Sequence, residues 1–369
     1  MLRSYPIAAT VDNWLHDAIV GIIQDVHDKL NASENIANTQ LTWRNLVSAR
    51  LTGQKKDRLI RLRGVRDRLF AFKNAYDDLL QPQRTAVLAA LRSQNDIPNI
   101  LNKTIQPRVI SETHSLVHER AKDLFVFCFE KLTDLNVRAS QYNIIFSNLA
   151  DKICPFCGIE RVMNPEETAQ DQDHYLAKSI YPFCAANLRN LVPMCRCCNR
   201  DYKKNKDVIE GGSRRAFDPY NCIPPEITLN HTTIIVGSSP IQFEWNIDFL
   251  TNPEETETWN SVFDIRTRYK RDILNEYFDK WLWGFSEKCR KSRRRGYIGE
   301  NLDAVQIRQQ LAFYQEDKAD NPSTGLAGFL EPLVFKFLLK EYDENNPKIV
   351  SLIRIAVLGQ REIEKIEAA

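Results

Sequence analysis

Along the first third of the chain, apolar residues recur at helical spacing. Leu15, Ala18, Ile19, Ile22, Ile23, Val26 and Leu30 are three or four residues apart, the stripe of one helix face. Asp12 or Thr10 is its candidate N-cap. A second helix is predicted over residues 57–80, with Leu59, Leu62, Val65, Leu69, Phe72, Tyr76 and Leu79 inward and the arginines outward. Pro82 stops it, because proline lacks the N–H that a helix interior needs. A shorter helix follows through Val87 and Leu91. After a loop over 95–107, residues 111–135 carry Leu116, Val117, Leu124, Phe125, Phe127, Cys128 and Leu132, dense enough for a helix buried on much of its circumference.

The pattern changes near Lys152. Residues 150–220 have little apolar periodicity and many Cys, Asn, Pro and charged turns, as expected where a metal rather than a large core organises the chain. Residues 227–236 and 241–247 then alternate and are rich in β-branched and aromatic side chains, which predicts a hairpin turning at Gly237–Pro240. Helical spacing returns from about residue 260 through Val262, Ile265, Tyr269, Ile273, Tyr277, Trp281 and Leu282, with further helices expected over 303–316, 328–342 and 348–366. The fold class expected is mainly α with a small α+β insert. The expected divisions are 1–149 helical, 150–222 metal-organised, 223–259 hairpin and 260–369 helical. No internal repeat or low-complexity tract interrupts this order.

At 369 residues, with 43% hydrophobic and 27% charged residues, the chain is long enough for proper cores and is not of disordered composition. No apolar run approaches the roughly 20 residues that span a bilayer, and the opening Met-Leu-Arg-Ser-Tyr-Pro has no signal-like apolar segment. A cytoplasmic protein with reduced cysteines and no membrane partner is therefore expected. Net charge is only +2, but it is unevenly distributed. Residues 44–73 hold ten Lys or Arg against Asp57 and Asp67, and residues 288–295 hold six with no acid. A third group, Arg200, Lys203, Lys204 and Lys206, follows the last cysteines. Such patches either neutralise phosphates or form solvated faces balanced by acids elsewhere.

The chemistry lies in the middle of the chain. Cys154-Pro-Phe-Cys157 and Cys195-Arg-Cys197-Cys198 supply thiolate pairs with the spacing of a four-cysteine zinc site. Cys195 with Cys197 is an alternative register; Cys198 restores the two-residue gap. Cys128, Cys184, Cys222 and Cys289 stand alone and are expected to be buried or inert. Between the pairs lies Asp173-His174, a carboxylate that can hold a hard cation beside an imidazole that can take a proton near neutral pH. His114 and His118 have a metal-compatible spacing but no acid to complete a site. His231 lies in a strand pattern, and Phe217-Asp218-Pro219-Tyr220 reads as a structural turn.

Asp173-His174-x3-Lys178, Asn190-Leu-Val-Pro-x-Cys195 and Cys198-Asn199, enclosed by the cysteine pairs, resemble the ββα-metal motif of HNH endonucleases with zinc knuckles. The resemblance covers roughly residues 150–220. It implies a structural Zn2+ on Cys154, Cys157, Cys195 and Cys198, and a catalytic Mg2+ or Mn2+ on Asp173 and Asn199. It further implies His174 as general base and Asn190 as the residue that fixes the loop between two strands. Asn187 competes with Asn190 for that place. Lys178, Arg200, Lys203, Lys204 and Lys206 are implied to face nucleic acid, with DNA as substrate. Asn199 stands where many relatives have His, which favours hard cations, and Ala177 stands where many have Pro. Large helical additions around such a core also resemble effectors of bacterial restriction and anti-phage systems, some working beside an ABC-type ATPase. This chain lacks a P-loop of its own, so any ATPase would be a partner, with residues 277–285 as a candidate interface. The alternative function is a zinc module that binds nucleic acid or protein without catalysis.

Overall fold

The computed structural model describes residues 2–149, 151–166, 171–235, 241–299, 302–321 and 327–359. In chain order the elements are α1 Trp14–Asn31, α2 Gln40–Arg50, α3 Gly53–Arg61, α4 Arg63–Asp77, α5 Gln81–Asn95, α6 Ile97–Leu101, α7 Ser115–Asp134 and α8 Val137–Asn148. Strands β1 Gln172–His174 and β2 Leu191–Pro193 follow, then a π-helical turn Cys197–Lys203, then β3 Ile227–Thr228, β4 Thr233–Ile234, β5 Phe243–Glu244 and β6 Asp248–Phe249. Helices α9 Pro253–Phe263, α10 Ile265–Arg268, α11 Asn275–Arg294, α12 Ala304–Asp320, α13 Leu330–Asp343 and α14 Pro347–Leu358 complete the chain. The protein is mainly helical, with short antiparallel strand pairs.

Two compact units are distinguished. The first comprises Met1–Phe156, Arg161–Pro224 and Glu254–Phe263; the second comprises Cys157–Glu160, Pro225–Pro253 and Asp264–Ala369. Most of the segment expected as a metal-organised module therefore belongs to the same unit as the N-terminal helices.

In the first unit, α1 buries the predicted stripe from Leu15 to Leu30. Its N-cap is Asn13, not Thr10 or Asp12: Thr10 bonds back to Ile7 O and Asp12 pairs with Lys55. The single helix expected over 57–80 is two. Leu62 leaves helical geometry (φ −75°, ψ 76°) between α3 and α4. Immediately after this corner, Gly64 meets α7, and a methyl group there would lie 2.5 Å from Phe127 Cζ. The corner and the missing side chain together let α4 pack along α7. Pro82 does not stop the preceding helix, which ends at Asp77; it sits in the first turn of α5, where its absent N–H is not needed. Helices α2 and α8 go beyond the expected set. α2 starts at Thr39, whose hydroxyl accepts from Thr42 N. α8 starts after Asn136 in the left-handed conformation that asparagine tolerates (φ 62°).

One apolar core joins α1, α2, α4, α5 and α7, and it continues into Phe183, Ala185, Ala186, Leu188 and Leu191 between and on β1 and β2. Phe183 meets Phe72 and Phe125 edge to face, with ring centroids 6.3 and 5.7 Å away. The helical core is thus what the loop between the two strands stands on.

In the second unit, β4 and β5 pair antiparallel and β3 and β6 pair around them. This is the connectivity of the expected hairpin, although its turn at 237–240 lies outside the described residues. The ladder is interrupted where the Thr232 hydroxyl takes the place of a backbone acceptor for Asn246 N. Helix α12 opens with a capping box between Asp303 and Gln306. α14 is described only to Leu358, so the rest of the expected 348–366 helix lies outside the described residues. Among the described residues, no helix is long and apolar enough to cross a membrane.

His16 on α1 is fully buried, its ring 5.7 Å from Phe125. Burial lowers its pKa from 6.5 to about 4. The folded value lies below the unfolded one, so the unfolded chain takes up this proton first. Stability is complete above about pH 6.5 and falls as pH drops toward 4, by up to about 3 kcal/mol. Urea unfolding of the parent and of His16→Gln at pH 7 and pH 5 measures this. The parent should lose more stability between the two pH values than the variant.

Candidate functional site

Cys154, Cys157, Cys195 and Cys198 are all buried, and their sulfur atoms lie within 4.8 Å of one another. Four thiolates around a zinc ion at about 2.3 Å stand roughly 3.8 Å apart, so small shifts close this group on a metal. Backbone amides already aim at the sulfurs: Cys195 N at Cys154, Cys198 N at Cys195 and Ile159 N at Cys157, each at 3.4 Å. The register is the one with Cys198; Cys197 is half-buried and outside the group. Among the described residues, this is the one cluster of three or more His, Cys, Asp or Glu side chains able to hold an ion. The remaining cysteines are unbridged, and burial raises the Cys128 thiol to about 12 and those of Cys222 and Cys289 to about 11.

β1 and β2 pair antiparallel, with Asp173 opposite Val192 and His174 opposite Leu191. Strand alternation puts Gln172 and His174 on one face and Asp173 on the other. His174 is buried; its Nε2 lies 2.9 Å from Ala185 O. A carbonyl only accepts, so Nε2 carries the proton and Nδ1 keeps the lone pair. Burial, and then the Lys178 charge, lower the pKa of the imidazole to about 3.

Asn190 is fully buried and ties the loop between the strands. Its Oδ1 accepts from Leu176 N at 2.7 Å, its Nδ2 donates to Leu176 O and Cys184 O, and its own carbonyl accepts from Tyr175 N. Asn187, the competing asparagine, instead bonds Asn95 and Arg189 N. Residues of the helical region grip the same loop from outside. Asn13 Oδ1 accepts from Leu188 N, Gln94 Oε1 accepts from Phe183 N, and Gln141 Nε2 donates to Leu188 O. His118 bonds Ser179 O at 3.1 Å, so one of the two spaced histidines holds the loop rather than a metal. The Phe217–Tyr220 segment is a turn closed by Asp218, and its Tyr220 hydroxyl donates to Leu191 O at 2.6 Å.

Asp173 faces Lys203. Lys203 Nζ lies 2.7 Å from Asp173 Oδ2 and 2.8 Å from His174 O. The ammonium neutralises that oxygen, whose surroundings are otherwise dry. Burial raises the Asp173 carboxyl, and Lys203 opposes that shift. Lys203 was expected to face nucleic acid; its side chain is only 1% exposed, and its place is inside. The reason is local. Residues five apart on an α-helix point about 140° from each other. The wider π-helical turn Cys197–Lys203 brings Cys198 and Lys203 back toward one buried side.

Asn199 is half-buried on this turn, its backbone held by Cys195 O. Arg200 is exposed and paired with Asp171, Lys204 is exposed, and Lys206 donates to Ser261 O and Val262 O at the end of α9. Of the ten cations over 44–73, Arg50, Lys55, Arg66, Arg68 and Lys73 pair with acids. That patch is half neutralised. In the 277–285 stretch Phe278, Trp281 and Phe285 are core, whereas Trp283 is 66% exposed.

Sequence reasoning missed Phe129 and Arg138. The His174 ring stands edge-on to Phe129 with centroids 4.4 Å apart, and Arg138 Cζ lies 4.6 Å from the same ring. Both come from helices more than thirty residues upstream: periodicity marks α7 but not what its edge meets, and α8 lies outside the expected set. No family model, curated protein or solved structure matches this chain.

Two outcomes are expected here. Cys198→Ser should lose bound zinc and melt at lower temperature, while Cys197→Ser should keep about one zinc per chain by metal analysis. Asn190→Ala should cost roughly 2–4 kcal/mol in urea unfolding, because it leaves buried peptide groups of the loop unpaired.

Proposed function

We propose that this chain is a metal-dependent HNH endonuclease that hydrolyses phosphodiester bonds of DNA. The observation that supports it most is the state of His174. A backbone carbonyl accepts from its Nε2–H, so Nδ1 is left as the basic atom, and the adjacent residue is a largely buried carboxylate paired with Lys203. A core histidine has no need of that neighbour.

In this reading the four cysteines hold a structural Zn2+ with no open coordination position. Asp173 and the amide oxygen of Asn199 would hold a hard divalent cation such as Mg2+ or Mn2+, with the cation taking the place at Asp173 Oδ2 that the Lys203 ammonium now fills. That cation would supply polarisation of the phosphoryl oxygen. His174 does the proton work: Nδ1 takes a proton from the attacking water while the Ala185 carbonyl holds the ring by Nε2. A pKa near 3 keeps the ring uncharged at neutral pH. An incoming phosphate offsets the nearby positive charge and raises its basicity. Asn190 keeps the loop, and with it Ala185, in place. The wider setting, an effector of bacterial restriction or anti-phage defence with an ATPase partner, rests on the resemblance alone.

The Lys203–Asp173 ion pair favours a second reading. A lysine that already neutralises the carboxylate would suit a zinc module that binds nucleic acid or protein without cutting. Plasmid cleavage separates the two. With Mg2+ present the parent should nick or cut, and His174→Ala should be at least about 100-fold slower with unchanged zinc content. Equal rates would remove His174 from the mechanism, and no cleavage by the parent under any divalent cation would favour the binding module.

A further inference from the structure

Around His174 there is more positive charge than the proton chemistry uses. Arg138 on α8 and Lys178 in the loop after β1 both lie over the Phe129 ring, with Arg138 Cζ at 4.6 Å and Lys178 Nζ at 5.5 Å from its centroid. The His174 ring stands against the same ring at 4.4 Å. Arg138 is fixed there: its Nε donates to Gln172 Oε1 at 2.9 Å, a terminal nitrogen donates to Thr133 Oγ1 at 3.1 Å, and Gln172 returns a bond to Arg138 O. Gln172 is the first residue of β1, so the guanidinium is locked to the strand that carries His174.

The neighbouring charges do not balance. Asp171 pairs with Arg200 and Asp173 with Lys203. That leaves Arg138 and Lys178 with no carboxylate at ion-pair distance among the described residues. Both are half-buried. The face of Phe129 attracts each cation but neutralises neither. A positive charge in a partly dry place is costly unless an anion joins it.

We propose that Arg138 and Lys178, gathered on Phe129 beside His174, form an anion seat that holds the non-bridging oxygens of the phosphodiester under attack. The seat's existence rests on the charges and the ring. Its identification with the scissile phosphate rests on the nuclease reading. Arginine and lysine donors on phosphate oxygens carry no base information, so the contact is independent of sequence. Arg138 belongs to the helical region, outside the 150–220 segment that carries the HNH resemblance. On this assignment the helices contribute to the site and do not merely support it.

The test uses the full-length, zinc-loaded chain without Mg2+ and inorganic phosphate as probe. Melting temperature is measured in phosphate and in chloride at matched ionic strength. Phosphate should raise that of the parent by a few degrees. Lys178→Gln and Arg138→Gln should lose this rise, and Lys122→Gln, elsewhere on α7, should keep it. Among the described residues Lys178 has no hydrogen bond or ion pair to lose, so its variant remains decisive if Arg138→Gln folds poorly. In cleavage assays the same two variants should lower kcat at least tenfold with little change in KM, and Arg138→Lys should recover part of the loss. A parent indifferent to phosphate, or variants that keep the full rise, overturns the seat. A phosphate rise lost in the variants of a protein that cuts no DNA keeps the seat and overturns the nuclease reading.

Discussion

A buried loop has to find partners for its own peptide groups, and the architecture around β1 and β2 answers that demand. Residues 175–190 run through the interior, where an unpaired N–H or C=O costs more than a kilocalorie per mole. Asn190 satisfies the loop from within. Asn13, Gln94, Gln141 and His118 satisfy it from three helices and the residue ahead of the first. Phe183 adds an apolar anchor between Phe72 and Phe125. The carbonyl of Ala185, which orients His174, belongs to this loop. The imidazole's tautomer is therefore set by the packing of helices distant in sequence.

This explains which parts of the site were legible in the chain and which were not. The cysteine positions could be read because metal ligation demands a fixed spacing on a tight turn, and the Asn190 bonds because they are local to the loop. The long apolar stripes of α1 and α7 were equally plain. Leu62 fits the helical period and yet marks a corner. Its departure is tied to the close approach of Gly64 to Phe127, a contact between segments that no local pattern records. Lys203 looked like one more surface cation in a basic run. Only the π-helical turn moves it inside, and that turn has no composition of its own. Phe129 and Arg138 were invisible for the same reason: each is an ordinary residue of a helix until the fold brings it to His174.

The charge distribution teaches a related point. Basic stretches in the sequence overstate free positive charge, because Arg50, Lys55 and Arg68 are spent on acids from other parts of the fold and Arg66 on its neighbour Asp67. Exposed pairs of this kind contribute little stability, but they do remove cations from the count available to a polyanion. Arg138 and Lys178, which belong to no basic run, have no carboxylate at ion-pair distance among the described residues. Pairing in three dimensions therefore adds a place that the linear charge pattern does not mark.

Tyr5 gives the first unit a feature of another kind. Its hydroxyl donates to Pro193 O, its amide to Pro219 O, and its ring sits 5.7 Å from Tyr220. At synthesis rates of roughly 5–20 residues per second, Tyr5 waits on the order of ten to forty seconds before Pro193 leaves the ribosome. For that interval the nascent helices exist without the strands they will enclose, and an aromatic side chain near the start of the chain stays wet. Completion of this unit is thus a late event in the life of the polypeptide, timed by translation rather than by the speed of helix formation.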